Sequence, residues 1–273
     1  MSAAPPPPSC ESEAVKAAAW LGRLWPRSLI GQMLHARQVM HASRDFWLGD
    51  LHGVPAVLAL SGIGKVAAAT TAAALIGHFG VRQIVFTGVA GGLGPAVAVG
   101  DVVVASHFMQ HDLDASPLFP RYEVPLYGKT CFESDARLTD LLFIAACTAL
   151  KGGAGAQNAT AHPFPQARVH RGLIASGDRF VSGAEESRRL KALLADAGHA
   201  VLAVEMEGAA VAQVCLDHCV PFAAVRTISD RADDSAHLDI PGFLDKVAGA
   251  YATEIIRRFL DLLSKKIAKY ARG

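Results

Sequence analysis

VLAVEMEGAAVAQVCLDHCVPFAAVRTISDRAD, from Val201 to Asp233, decides how the rest of the chain is read. Val201 to Val204 is a run of small and β-branched apolar residues, the pattern of a strand buried on both faces. It runs straight into Glu205, Met206 and Glu207. Gly208 to Cys219, rich in Ala and Val, suits a helix packed closely on a sheet. A second apolar strand follows, Phe222 to Ile228, and ends in Ser229 and Asp230. Each strand thus delivers a carboxylate at its C-terminal end. In an open α/β sheet that edge is where ligands bind. A carboxylate held among apolar residues costs free energy unless a partner or a function compensates.

Outward from this stretch the chain repeats the alternation of strand and helix. Gln38 to Leu60 holds two or three short strands, with a turn near His52 and Gly53. SGIGKV, Ser61 to Val66, leads into a helix from Val66 to His78. A glycine turn opening a helix brings backbone N–H groups toward an anion, although it is not the GxGxxG of a dinucleotide site. Gln83 to Val89 is a buried strand ending in Ala90, Gly91 and Gly92, and Val99 to Ser106 is the next. His107 to Phe132, with prolines at 117, 120 and 125, reads as an irregular loop over the site or at a subunit contact. Asp135 to Leu150 is a helix, and Gly152 to Gln166 a flexible connection. His170 to Ser176 is a strand leading to Gly177, Asp178 and Phe180. A helix starts at Ser182 or Gly183 and runs through Leu194. A last helix runs from Pro241 to about Ala268, its apolar face formed by Ile255, Ile256, Phe259, Leu260, Leu263 and Ile267.

The N-terminus reads differently. Residues 1–10 form a proline-rich tail, with Pro5 to Pro8 consecutive, and 11–273 a single domain. Glu11 to Trp25 is spaced as a helix, with Ser9 as its cap, and Pro26 ends it. No strand precedes it.

With 273 residues, 51% hydrophobic, the chain can bury one large α/β core. A net charge of +1 and the lack of a basic stripe exclude a nucleic-acid footprint. No run of about 18 apolar residues suggests a membrane span, and the start lacks the charged-then-apolar order of a signal peptide. Five irregularly spaced cysteines read as reduced cytoplasmic thiols. Cys215 and Cys219, four residues apart, are buried thiols rather than metal ligands. His111, Asp112 and Asp114 match no metal spacing and read as loop residues.

VEMEGAAVAQV (Val204 to Val214) followed by RTISDRAD (Arg226 to Asp233) resembles the purine nucleoside phosphorylase superfamily, and within it the 5′-methylthioadenosine/S-adenosylhomocysteine nucleosidases. SGIGKVAAA (Ser61 to Ala69), TGVAGGL (Thr87 to Leu93), VGDVVVA (Val99 to Ala105) and IASGDRF (Ile174 to Phe180) extend the resemblance, in order, over roughly Asp45 to Leu262. It implies a three-layer α/β/α sandwich with a mixed, largely parallel twisted sheet. The family's first strand is here missing or altered. It also implies hydrolysis of a purine N-glycosidic bond, no cofactor, no metal, a small nucleoside substrate and a homodimer.

Breaking that bond makes the ribosyl carbon cation-like, requires the purine to leave neutral, and requires water to lose a proton. Asp230 is the candidate acid on purine N7, since an apolar pocket favours its protonated form, with Ser229 orienting it. Its bland alternative is a helix cap. Glu207 is the candidate for the ribose hydroxyls, because a charge-assisted bond strengthens as the sugar becomes cationic. Its bland alternative, a solvated first-turn Glu, suits Glu205 better. The resemblance implies that Met206 packs on the sugar, that Ala90 and Gly91 flank the nucleoside, that Phe180 stacks on the base and that the Phe180–Val181 backbone reads its edge. The family's water-activating Glu lies early in the chain. CESEAV matches its tail, making Glu13 the counterpart and Glu11 the near miss.

Val89 and Val66 stand where a phosphate-binding relative would carry side-chain donors, which favours water over phosphate as nucleophile. A phosphorylase and a catalytically weak nucleoside-binding relative are the rival readings.

Overall fold

The computed structural model describes residues 17–20, 29–151, 164, 166–232 and 247–270, with backbone alone for 17–20 and 266–270. Ten strands appear among these residues. They are β1 (Ala17–Trp20), β2 (Leu34–His41), β3 (Arg44–Leu51), β4 (Val54–Ala59), β5 (Gln83–Gly92), β6 (Val102–Gln110), β7 (Cys131–Glu133), β8 (Val169–Ser176), β9 (Val201–Glu205) and β10 (Phe222–Asp230). Five helices accompany them: α1 (Lys65–Gly77), α2 (Ala136–Lys151), α3 (Ala184–Asp196), α4 (Gly208–Asp217) and α5 (Gly249–Tyr270).

The strands form one mixed α/β sheet, and part of it closes on itself. β10 pairs with both β5 and β6, β6 with β8, β8 with β9, and β9 returns to β5, so five strands make a ring. From β5 the sheet continues outward through β1, β4, β3 and β2. Parallel and antiparallel pairings are equal in number, which corrects the expectation of a largely parallel open sandwich.

Alternation along the central strands builds two cores. On β6, Val102 and Val104 face a core shared with α2 and α5, while Val103 and Ala105 face one shared with α1 and α4. Ala223 and Val225 against Phe222 and Ala224 divide β10 in the same way. Ile255, Ile256, Phe259, Leu260 and Leu263 of α5 are all buried, as their spacing predicts. Each contributes about 1.5–3 kcal/mol by leaving water.

Two expectations fail at the N-terminal half. Residues 17–20, expected in a helix, are a strand between β4 and β5, parallel to both, with Trp20 opposite Ala59 and Phe86. The sheet therefore has its early strand, at Ala17–Trp20. Ala has the strongest helix propensity, and edge-to-edge pairing with two strands overrides it. The loop expected over 107–132 is also shorter at both ends: His107 to Gln110 belong to β6, and Cys131 and Phe132 to β7.

Candidate active site

β9 and β10 approach the same short segment of β5 from opposite directions. Gly91 of β5 has Val204 of β9 as its antiparallel partner and Asp230 of β10 as its parallel partner. The two acidic segments therefore flank Ala90 and Gly91, their backbones about 10 Å apart or less. The sequence placed both carboxylates on one edge of an open sheet. Ring closure brings them together instead, with β9 running against β5.

Asp230 is buried at the end of β10, just past a bulge after Ile228. Its Oδ1 accepts the Ala232 N–H at 2.7 Å and its Oδ2 accepts the Ser229 hydroxyl at 2.7 Å. Ser229 Oγ also lies 3.4 Å from the Ala90 carbonyl. A hydroxyl has one proton, so when Ser229 donates to Ala90 its oxygen can accept from a protonated Asp230. Gly91 is obligatory in this arrangement: a Cβ there would lie 2.9 Å from both Asp230 Oδ1 and Ala232 Cβ.

Glu205 is not the solvated residue its position suggested. It is buried and pairs with Arg226 Nη2 at 2.7 Å. It also accepts the Ser176 hydroxyl, the Gly208 N–H at 2.9 Å on both oxygens and the Glu207 N–H at 3.2 Å. Arg226 sits on β10 directly opposite Gly88 of β5, and its guanidinium crosses that glycine to reach Glu205. The guanidinium carbon lies 4.0 Å from the centre of the Phe86 ring. An Arg inside the apolar run FAAVRTI had to find an anion. That was the available signal for this pair, and the sequence reading missed it.

Glu207 is the N-cap residue of α4 and is half-buried, beside half-buried Met206. Its Oε1 accepts the Gly64 N–H at 2.9 Å. Burial first, and then the neighbouring Glu205 carboxylate, push its pKa up to about 7.

Gly64 has φ +91, a left-handed conformation that glycine permits, and opens α1 without a side-chain cap of its own. Its helix N-terminus instead meets two carboxylates brought by other elements: Glu207 on Gly64 and Asp178 Oδ1 on the Lys65 N–H at 2.7 Å. The anion that SGIGK was expected to meet is the protein's own. Lys65 Nζ bonds Asp112 at 2.6 Å and Gln110 at 3.1 Å. Burial pushes the Asp112 carboxyl up, but Lys65 and the Asp178 N–H outweigh it and hold it below its ordinary value. His111 is buried against Gly177 and shifted downward, by burial first. No cluster of three metal-ligating side chains occurs among the described residues.

Phe180 and Val181 lie in the loop between β8 and α3, and β8 is β9's neighbour in the ring. Val181 is buried, whereas Phe180 is 46% exposed and so is not an ordinary core residue. Glu13, like Glu11, lies outside the described residues. Cys215 is buried and its thiol is pushed up to about 12 by burial, but Cys219 is exposed, against expectation. All four described cysteines are free. No helix among the described residues is long and apolar enough to cross a membrane.

The sheet ring thus gathers buried carboxylates beside a glycine-rich strand end. Residues 27–261 match the model of the phosphorylase superfamily, and the chain belongs to the PNP/UDP phosphorylase superfamily. It is 30% identical to the 5′-methylthioadenosine/S-adenosylhomocysteine nucleosidase of Shewanella denitrificans, over 86% of this chain and 94% of the relative. The Neisseria meningitidis enzyme of that name, solved with methylthio-immucillin-A, superposes with a TM-score of 0.77 at 34% identity, covering 89% of this chain and 98% of the other. The futalosine hydrolase of Helicobacter pylori superposes with a TM-score of 0.75 at 30% identity, covering 92% and 99%. These likenesses support hydrolysis of an N-glycosidic bond.

Proposed function

We propose that the protein hydrolyses the N-glycosidic bond of 5′-methylthioadenosine, S-adenosylhomocysteine or both, releasing adenine and the 5′-thioribose. The observation that carries this reading is the pair of acidic segments flanking Ala90 and Gly91, one ending in Asp230 and the other in Glu207. Asp230 works on purine N7, with Ser229 fixing its rotation. Phe180 covers the base and the Phe180–Val181 backbone reads its edge. Met206 packs on the sugar, and Glu207 accepts its hydroxyls. As the ribosyl carbon becomes cationic, the bond to Glu207 strengthens, so binding is tighter in the transition state than in the ground state.

Water is the nucleophile in this reading. The N–H groups of Gly64, which caps α1, and of Lys65, its first residue, are occupied by Glu207 and Asp178, which removes two donors a phosphate would use there. Leu118 and Leu126, in the irregular segment between β6 and β7, are 85% and 93% exposed, and a second copy of the chain is their proposed cover.

The test is incubation with 5′-methylthioadenosine in phosphate-free buffer while free adenine is followed. Adenine release at a rate indifferent to added phosphate is expected. Release only with phosphate would make the protein a phosphorylase, and adenine binding without release would make it a nucleoside-binding relative.

A further inference from the structure

Lys65 closes the SGIGK motif, and the proposed chemistry makes no use of its side chain. It is the first residue of α1, where the positive end of the helix dipole disfavours a cation. Its side chain is only 16% exposed, so the ammonium has also given up hydration and freedom. Partners must offset both. Lys65 Nζ, which carries three protons, bonds Asp112 Oδ1 at 2.6 Å and Gln110 Oε1 at 3.1 Å, and lies 3.8 Å from Asp178 Oδ2.

These partners come from different elements. Gln110 ends β6, and its amide donates to Gln213 of α4 at 2.9 Å. Asp112 lies just past β6, and its Oδ2 accepts the Asp178 N–H at 2.8 Å. Asp178 lies in the loop between β8 and α3, and its Oδ1 accepts the Lys65 N–H at 2.7 Å. Lys65, Asp112 and Asp178 thus close a cycle: lysine side chain to Asp112, Asp112 to the Asp178 backbone, Asp178 side chain to the lysine backbone. Phe180 stands two residues beyond Asp178, at most about 7 Å along the chain. Gly64, whose N–H holds Glu207, stands one residue before Lys65. The fit between loop and turn is close, since a Cβ on Gly64 would lie 3.1 Å from Asp178 Oδ1.

We propose that Lys65 is a positioning residue for the purine: the cycle it closes with Asp112 and Asp178 holds the loop that carries Phe180 against the turn that carries Glu207. This rests on the nucleosidase reading above. Lys65 touches neither base nor sugar and acts through the loop. Glu207 keeps its Gly64 N–H whether or not the ammonium is present, so loss of the cycle falls on the base platform first. An ion pair this accessible adds little to folding, so breaking it registers in binding rather than in melting. A platform that grips the base equally in ground state and transition state acts on KM and leaves kcat nearly unchanged.

The experiment compares the full chain with Lys65→Met, Phe180→Ala and the double variant. Adenine affinity is measured by calorimetry, kcat and KM by adenine release from 5′-methylthioadenosine without phosphate, and melting on the same samples. Lys65→Met should weaken adenine binding and raise KM by about tenfold, with kcat within about threefold of wild type. Its melting temperature should stay within about 2 °C. In the Phe180→Ala chain the same substitution should cost about threefold or less in adenine affinity, because the ring it positions is gone. The proposal is overturned if Lys65→Met leaves adenine affinity and KM unchanged, if its cost is as large without the Phe180 ring as with it, or if the loss tracks the unfolded fraction. Binding and turnover separate the two readings. Wild type that binds adenine but releases none from 5′-methylthioadenosine without phosphate overturns hydrolysis, and the affinities still judge the cycle. Wild type that binds no adenine overturns both.

Discussion

Glu205 and Glu207 are two residues apart on the same strand-to-helix junction and live in opposite conditions. Glu205 faces into the ring, where an arginine, a serine and two backbone N–H groups meet it. Glu207 faces the SGIGK turn, takes one N–H from Gly64 and feels its neighbour's negative charge. The first holds strands together through those contacts. The second is poised to change its protonation. The difference teaches that a carboxylate's role follows from how many donors the surrounding elements bring to it, and motif position alone does not reveal that count.

The comparison breaks most severely at Arg226. Arg226→Met leaves Glu205 as a buried, unpaired charge and should cost about 3–5 kcal/mol, read as a shift in the urea midpoint. Adding Glu205→Gln in the same chain should recover part of that loss, since the orphaned charge is then gone.

A second break moves the opposing acid rather than either glutamate. Gly91→Ala places a methyl group 2.9 Å from Asp230 Oδ1 and from Ala232 Cβ. It should destabilise by about 1–3 kcal/mol. It should also reduce kcat by more than the fraction unfolded explains, as measured by activity and circular dichroism on one sample.

Glu207→Gln sharpens the comparison through pH. The folded-state pKa of Glu207 is raised from 4.5 to about 7. Its contribution is therefore fully present below about 4.5 and is lost as pH rises through about 7. The glutamine has nothing to lose. Its stability relative to wild type should improve by on the order of 2 kcal/mol between pH 5 and pH 8, followed by melting at both pH values.

The smallest effect belongs to Phe180. Because it is exposed, Phe180→Ala should leave the melting temperature within about 1–2 °C. Loss of stacking on the base, worth roughly 1–3 kcal/mol, should appear in KM or in inhibitor affinity.

Much of the fold was legible where the pattern is strongly apolar. β5, β8, β9 and β10 announce themselves by runs of Ile, Val and Ala, and α5 by its periodic face. The turn between β3 and β4 was signalled by His52 and Gly53, and Asp50 closes it by accepting the Gly53 N–H at 2.7 Å. The turn between β2 and β3 was not, because Ala42 and Ser43 both take positive φ, 48° and 59°, without the Asn or Gly that advertises such a turn. β1 was hidden for a related reason: its alanines favour helix, and only pairing with β4 and β5 makes them a strand. At the candidate site, Asp230 and Glu207 were singled out from their place after apolar runs. The ion pair was not, because Arg226 lies 21 residues from Glu205 and only ring closure brings it across Gly88. The occupation of the SGIGK donors by Glu207 and Asp178 depends on contacts between elements more than 100 residues apart in the chain.

The most direct test of the account is a crystal structure of the protein with methylthio-immucillin-A. The account predicts the Asp230 carboxyl at about 3 Å from the base nitrogen corresponding to N7, and the Glu207 carboxylate at about 3 Å from the sugar-like hydroxyls. A ligand bound the other way round, with its base against Glu207, or lying outside the space between β9 and β10, would contradict it.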